Sequence, residues 1–333
     1  MLLKPKILTT LRDYSLGIFF SDLTAGLIVG VVAIPLAIAF AIASGVSPEK
    51  GLVTAIVAGF LISALGGSRV QIGGPTGAFV IIVYGIVHQY GMQGLILSTF
   101  MAGILLVIMG LARFGLIIKF IPRTVIVGFT AGIAVVIFSS QVKDFLGLDV
   151  QTIPAEFLEK WRIFFERIDT VNYYAVGLAS LTVALILFWP RVLRKIPGSL
   201  AAIVLTSIIA NAFHWPVETI GSRFGELPHG LPAPQFPHLN FEIIQNLFQP
   251  AFTIALLGAI ESLLSAVVSD GMIGGRHRSN MELVAQGIAN MASASGLNVL
   301  LVEKGDWASG TSSKSTKLLH GGIRYLENFE FDL

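Results

Sequence analysis

The 333-residue chain contains no cysteine, which excludes disulfides, a thiolate nucleophile and a cysteine-built metal site. Charge is scarce as well. Only 13% of residues are Asp, Glu, Lys or Arg, against roughly 25% in a soluble domain. The formal net charge of +2 is too small to point to nucleic acid as a partner. Lys4, Lys6 and Arg12 near the amino terminus are not followed by a short apolar core and a small-residue cleavage site, so the first apolar run reads as a retained span. Hydrophobic residues make up 54% of the chain and the mean hydropathy is +0.79. These values describe an all-α polytopic protein of the lipid bilayer, and the absence of cysteine fits a bacterial inner membrane.

Apolar runs occur at 23–44, 51–65, 94–112, 122–140, 173–189, 198–213 and 250–269. Pro35 predicts a kink or break in the first. The linker 141–172 is mixed in charge, with an amphipathic helix expected at 155–167, and the loop 214–249 is rich in proline. Between the second and third of these runs lies Gln71-Ile72-Gly73-Gly74-Pro75-Thr76-Gly77-Ala78-Phe79, followed by the apolar residues 80–87. Proline suits a helix start, and the helix after it, ending near His88, falls short of the roughly 20 residues of a full span. A half-helix inside a membrane turns its N–H groups and positive dipole end inward, which suits a small anion. The alternative is a Gly/Pro turn at the membrane surface.

Loop charges bear on that choice, because short cytoplasmic loops collect Lys and Arg. With the amino terminus cytoplasmic and the half-helix counted as a crossing, the inside loops hold Arg69; Arg113, Lys119 and Arg123; Arg191, Arg194 and Lys195; and Arg276 with Arg278. Each of these is net basic. The outside loops hold Glu49 with Lys50, the uncharged 88–93, the linker, and a loop with Glu218, Arg223, Glu226 and Glu242. None of these is net basic, which favours a true crossing. Arg276-His277-Arg278 reads as an ordinary cytoplasmic basic patch, His88 as an interfacial residue, and His214, His229 and His238 have no metal-ligand spacing.

Six stretches carry a resemblance: 21–27 (SDLTAGL), 34–41 (IPLAIAFA), 74–79 (GPTGAF), 129–133 (FTAGI), 217–225 (VETIGSRFG) and 258–265 (GAIESLLS). Together they resemble the sulfate permease (SulP) family over about 12–293. The resemblance implies two inverted seven-span repeats, with half-helices at the third and tenth spans whose N-termini meet at the midplane. It implies an anion of the sulfate, bicarbonate, chloride or dicarboxylate class bound between them, and commonly a homodimer. Carried over by position, Phe40 and Phe79 flank the anion, the N–H groups of Gly77, Ala78 and Phe79 contact it, and Thr76 belongs to the same substrate-binding set. Some members have glutamine where this chain has Leu36, so one polar contact is missing. Glu261 is the charged residue of the run 250–269, at a position that is acidic in cation-coupled members. An ionisable group in a span is costly unless it is hydrated or paired. Proton or sodium symport is therefore the expected role of Glu261, and a hydrogen bond tying two spans together the alternative.

After residue 293 the chain changes character. Residues 303–327 (EKGDWASGTSSKSTKLLHGGIRYLE) resemble the flavin-dependent glycerol-3-phosphate dehydrogenase family, in which the acid after the second strand binds the FAD ribose. Glu303 is that acid. The dinucleotide fingerprint needs glycines after a first strand, and the matching register offers Asn280, Glu282 and Ala285 instead. The expectation is thus a permease-like region 1–293, cut early in its second repeat, joined to a dehydrogenase-like fragment 294–333 that holds no FAD. No other cofactor is implied. The rival function, an FAD oxidoreductase acting on glycerol 3-phosphate, would require a complete second domain. Weak or absent transport is expected of the 333 residues by themselves.

Overall fold

The computed structural model describes residues 3–74, 76–116, 123–150, 154, 156–193, 198–219, 221–222 and 241–295. Glu303 and the dehydrogenase-like stretch 303–327 lie outside them, as do Pro75, Lys119, Arg194, Lys195, Arg223, Glu226, His229 and His238. The described elements are helical: α1 Ile7–Thr10, α2 Leu16–Ala43, α3 Pro48–Leu65, α4 Val80–Leu111, α5 Arg123–Leu146, α6 Phe157–Glu166, α7 Tyr173–Val192, α8 Gly198–Ala212, α9 Phe241–Ile273 and α10 Ser279–Ala294. Within this set α2, α3, α4 and 244–273 of α9 are long and apolar enough to cross a membrane, while α7 and α8 are shorter apolar helices.

One expectation changes: the first helix runs from Leu16 to Ala43 through Pro35, so the proline does not end it. The half-helix stops close to its expected end near His88, because α4 is two helices that meet at a kink at Gly91, whose φ of 69° and ψ of −174° are not helical. A positive φ is cheap only for glycine, so Gly91 sets the place of the break. The amphipathic linker helix is present as α6, which buries Lys160 and Phe164.

The packing falls into two groups. Helices α2, α3, α4, α9 and α10 pack on one another, and α5 to α8 form a second set that meets the first where α5 touches Gly77–Phe79 and α8 touches α2. The main core lies in the first group, built from Phe40, Phe79, Val83, Leu95, Leu106, Ile254, Leu263 and Leu283. Helices α4 and α10 cross closely. A carbon added at Gly103 would lie 2.7 Å from the Gly287 carbonyl oxygen, and one at Gly287 would lie 2.5 Å from the Gly103 carbonyl oxygen. Small residues let backbones approach this closely, and such contacts help hold helices together where lipid removes the hydrophobic drive. Outward faces carry exposed Leu16, Phe20, Phe60, Phe138 and Leu187, as a lipid-facing surface requires.

Contacts also fix the path of the broken segment. Gly67 lies against Arg278, just before the start of α10, and Gly45, at the opposite end of α3, lies against the Tyr84 ring. Helix α3 is roughly 27 Å long at 1.5 Å per residue. Residues 67–84 therefore travel from one end of the bundle to the other, first as extended chain and then as helix. A turn confined to one surface does not do this.

Candidate functional site

The extended stretch before the half-helix lies along α9 and exchanges two side-chain hydrogen bonds with it. Gln71 donates through Nε2 to Ser265 Oγ at 2.6 Å, and Thr76 donates through Oγ1 to Glu261 Oε1 at 2.9 Å. Glu261 and Ser265 stand four residues apart, on one face of the helix. The two strips run in opposite senses, so Thr76 and Glu261 meet near the helix start and Gln71 and Ser265 one turn away. Gln71 is 5% exposed, and its Oε1 has no hydrogen-bond partner among the described residues. The Ser262 hydroxyl is likewise buried without a partner there. Groups like these ordinarily find protein, water or an ion.

Beyond Thr76 the chain makes a single 3-10 turn, Gly77–Phe79, before α4 begins at Val80. The Phe79 N–H is bent back onto the Thr76 carbonyl at 3.3 Å. Of the three N–H groups expected to face an anion, that of Phe79 is thus part of the turn, which leaves Gly77 and Ala78 as the better-placed donors. Gly77 is closely enclosed. A carbon there would fall 2.4 Å from Ile137 Cγ1 on α5 and 3.5 Å from Phe40 Cε1 on α2. Phe40 and Phe79 are both buried in the main core, and the tip of Phe79 reaches Gly258, one turn before Glu261.

The structure therefore brings Phe40, Thr76, Gly77, Phe79 and Glu261 into one contiguous region, with Ala78 in its turn. What the sequence reading missed is Gln71 and Ser265. A polar residue four positions from Glu261 on an apolar helix was a readable sign, whereas Gln71 could be connected to it only in three dimensions.

At the end of the bundle near Gly67, the patch Arg276-His277-Arg278 is not simply a solvated charge run. His277 donates its main-chain N–H to Asp270 Oδ2 at 2.8 Å, its Nδ1 lies 2.6 Å from the same oxygen, and its Nε2 lies 2.9 Å from Ser279 Oγ. Arg278 donates to the carbonyls of Lys4 and Pro5 at 2.8 and 3.0 Å. Glu282, 1% exposed, accepts the Gly67 N–H at 2.8 Å, and Asn280 accepts that of Gly115 at 3.0 Å. This network clasps the ends of α3, α4 and α9 and the amino-terminal segment to the start of α10.

Residues 19–300 match the sulfate permease family. The chain belongs to that family. It is 50% identical over 283 residues to the putative sulfate transporter YvdB of Bacillus subtilis, covering 84% of this chain and 53% of that protein. It is 31% identical over 291 residues to the bicarbonate transporter BicA of Picosynechococcus, covering 82% of this chain and 50% of that one. The solved transmembrane domain of a cyanobacterial bicarbonate transporter BicA superposes with a TM-score of 0.75 at 29% identity, over 93% of this chain and 79% of that domain. The structure of SLC26A9 gives the same TM-score at 18% identity, a likeness of fold alone, over 96% of this chain and 53% of that one. The chain spans about half the length of the curated relatives it matches. Those relatives are a putative sulfate transporter and a bicarbonate transporter, neither of them an enzyme.

Proposed function

We propose that the chain supplies one side of a secondary transporter for a small anion of the sulfate, bicarbonate or dicarboxylate class, working in a plasma membrane with its amino terminus cytoplasmic. The observation that carries this reading is that the half-helix start meets the acidic side chain of Glu261, through Thr76, beside the Gln71 Oε1 and Ser262 hydroxyl, buried and unpartnered among the described residues, which a bond that only tied two spans together would not need. The anion sits at Gly77 and Ala78, where main-chain N–H groups and the helix dipole favour negative charge, between the rings of Phe40 and Phe79. Glu261, with Ser265 and the unused Gln71 Oε1 beside it, offers oxygens to a proton or sodium ion. A cation held one hydrogen bond away from the anion's helix end lowers the cost of holding either charge in the membrane, and that is the physical basis of symport here. The orientation is supported by Lys6, Arg69, Arg113, Arg276 and Arg278, which fall at the end of the bundle that carries Gly67.

Assembly as a homodimer belongs to the same proposal. Residues 294–333 we read as a joined dehydrogenase-like fragment that holds no FAD, and purified protein showing flavin absorbance would contradict that. The experiment joins residues 1–293 to the remainder of the Bacillus subtilis relative and measures labelled sulfate and bicarbonate uptake into proteoliposomes. Saturable uptake of one of them is the expected result. Uptake no faster than into empty liposomes would count against the function.

A further inference from the structure

Three separate stretches of chain deliver cations to the Gly67 end of the bundle: 4–12, 66–69 and 276–278. Main-chain bonds bring them together, with the Lys6 N–H on the Gly66 carbonyl at 2.8 Å and the Arg278 N–H on the Gly67 carbonyl at 2.9 Å. Among the described residues, the side chains of Lys6 and Arg278 donate to uncharged groups. Lys6 Nζ lies 2.9 Å from the Arg276 carbonyl, and Arg278 takes the Lys4 and Pro5 carbonyls, with Thr9 Oγ1 at 3.4 Å. Two nearby carboxylates are already engaged, Asp270 by His277 and Glu282 by the Gly67 N–H. The crowding shows in Lys6, whose ammonium is held below its ordinary range first by burial and then by the charges of Arg278 and Arg69, against an opposing pull from Asp270. Lys4, Arg12, Arg69 and Arg276 are exposed around this centre.

The same segment carries a second feature. Leu3, Ile7, Leu8 and Leu11 are exposed, and the chain continues directly into exposed Leu16, Phe19 and Phe20 at the start of α2. Such a run beside a cation cluster places apolar side chains at acyl-chain level and positive charge at headgroup level. A free inorganic anion would use the charges and leave the apolar half unexplained, whereas a phospholipid with a net negative headgroup uses both.

We infer that the cluster of Lys6, Arg69, Arg276 and Arg278, with Leu3, Ile7, Leu8 and Leu11 beside it, is a binding site for an anionic phospholipid, separate from the transport site at Thr76 and Glu261. The lipid's phosphate sits against the exposed Arg69 and Arg276, and its acyl chains lie along the amino-terminal segment and the first turns of α2. Occupancy relieves the mutual repulsion of the cations and holds the amino-terminal segment against the bundle.

The test is native mass spectrometry of the full chain in mild detergent, with phosphatidylglycerol and phosphatidylcholine offered in equal amounts, on wild type and on the R69Q/R276Q variant. Both replaced side chains are exposed, so the variant keeps its fold, which circular dichroism verifies. The wild type is expected to retain phosphatidylglycerol several-fold over phosphatidylcholine, and the variant roughly thirtyfold less phosphatidylglycerol, from two surface charges lost. Millimolar inorganic phosphate should not displace the lipid. Equal retention of the two lipids, unchanged retention by the variant, or displacement by inorganic phosphate would each overturn the site. The last would identify a soluble-anion patch, and the first a basic surface that only orients the protein.

Discussion

Replacing Gly77 by alanine probes the point where the two helix groups meet at the helix end. The added carbon would fall 2.4 Å from Ile137 Cγ1, 2.6 Å from Ile137 Cδ1 and 3.5 Å from Phe40 Cε1. Ordinary carbon contacts lie at about 3.5–4.0 Å, so the overlap with Ile137 exceeds about 1 Å at two atoms. Phe40, 5% exposed, has no space to retreat. Ile137 is only half-buried and must turn off its rotamer, at about 0.5–1.5 kcal/mol, or α5 must move away. Either way the cost is that of overpacking, about 1–3 kcal/mol. Ile137→Ala removes both clashing atoms and has its own cost, below the ~2–5 kcal/mol of a fully buried isoleucine. In the double variant the alanine at 77 should therefore cost almost nothing more, giving a coupling of about 1–3 kcal/mol. Thermal unfolding in detergent reads this directly, at roughly 1.5 °C per kcal/mol for a chain of this size. Gly77→Ala should lower the midpoint by a few degrees, and the double variant should match Ile137→Ala. Additive midpoints, or no effect of Gly77→Ala, would show that Gly77 is not enclosed as described.

Glu282→Gln keeps an acceptor for the Gly67 N–H and should barely change the midpoint, whereas Glu282→Leu leaves that buried donor without its acceptor and should cost about 1–3 kcal/mol. At Lys160, burial holds the ammonium below its ordinary range, so the folded state gives up this proton more readily than the unfolded one. Stability then rises with pH between the lowered value and the ordinary one, and the burial penalty is fully present below both. Lys160→Met should accordingly raise the midpoint at neutral pH, with the gain shrinking as the pH climbs toward about 10.5.

Much of this architecture was legible in the sequence because membrane spans declare themselves by length and hydropathy. The broken segment was legible for a related reason: Gly73, Gly74 and Pro75 interrupt an apolar stretch, and the basic loops balance only if 71–87 counts as a crossing. Pro35 does not end its helix because neighbouring helices can satisfy a carbonyl freed inside a membrane helix. The hydrogen bonds that define the site span 185 and 194 residues, far beyond any local period, and Thr76–Glu261 and Gln71–Ser265 came only with the fold. The α4–α10 crossing lay between these cases. Gly103 and Gly110 stand seven apart on one helix and mark a small-residue stripe, but the sequence does not name Gly287 as the partner. The clasp around His277 was hidden by its composition, since arginine and histidine in a short loop look the same whether solvated or engaged.

The central claim is that Glu261, held by Thr76 at the start of the half-helix, couples a cation to the anion. It is tested in proteoliposomes containing residues 1–293 completed by the remainder of the Bacillus subtilis relative, with an inward proton or sodium gradient imposed and labelled sulfate or bicarbonate outside. The unmodified protein should accumulate the anion above its equilibrium level under one of the two gradients. Glu261→Gln should abolish that accumulation while leaving equilibration across the membrane. Accumulation by Glu261→Gln to the same level, under the same gradient, would contradict the account.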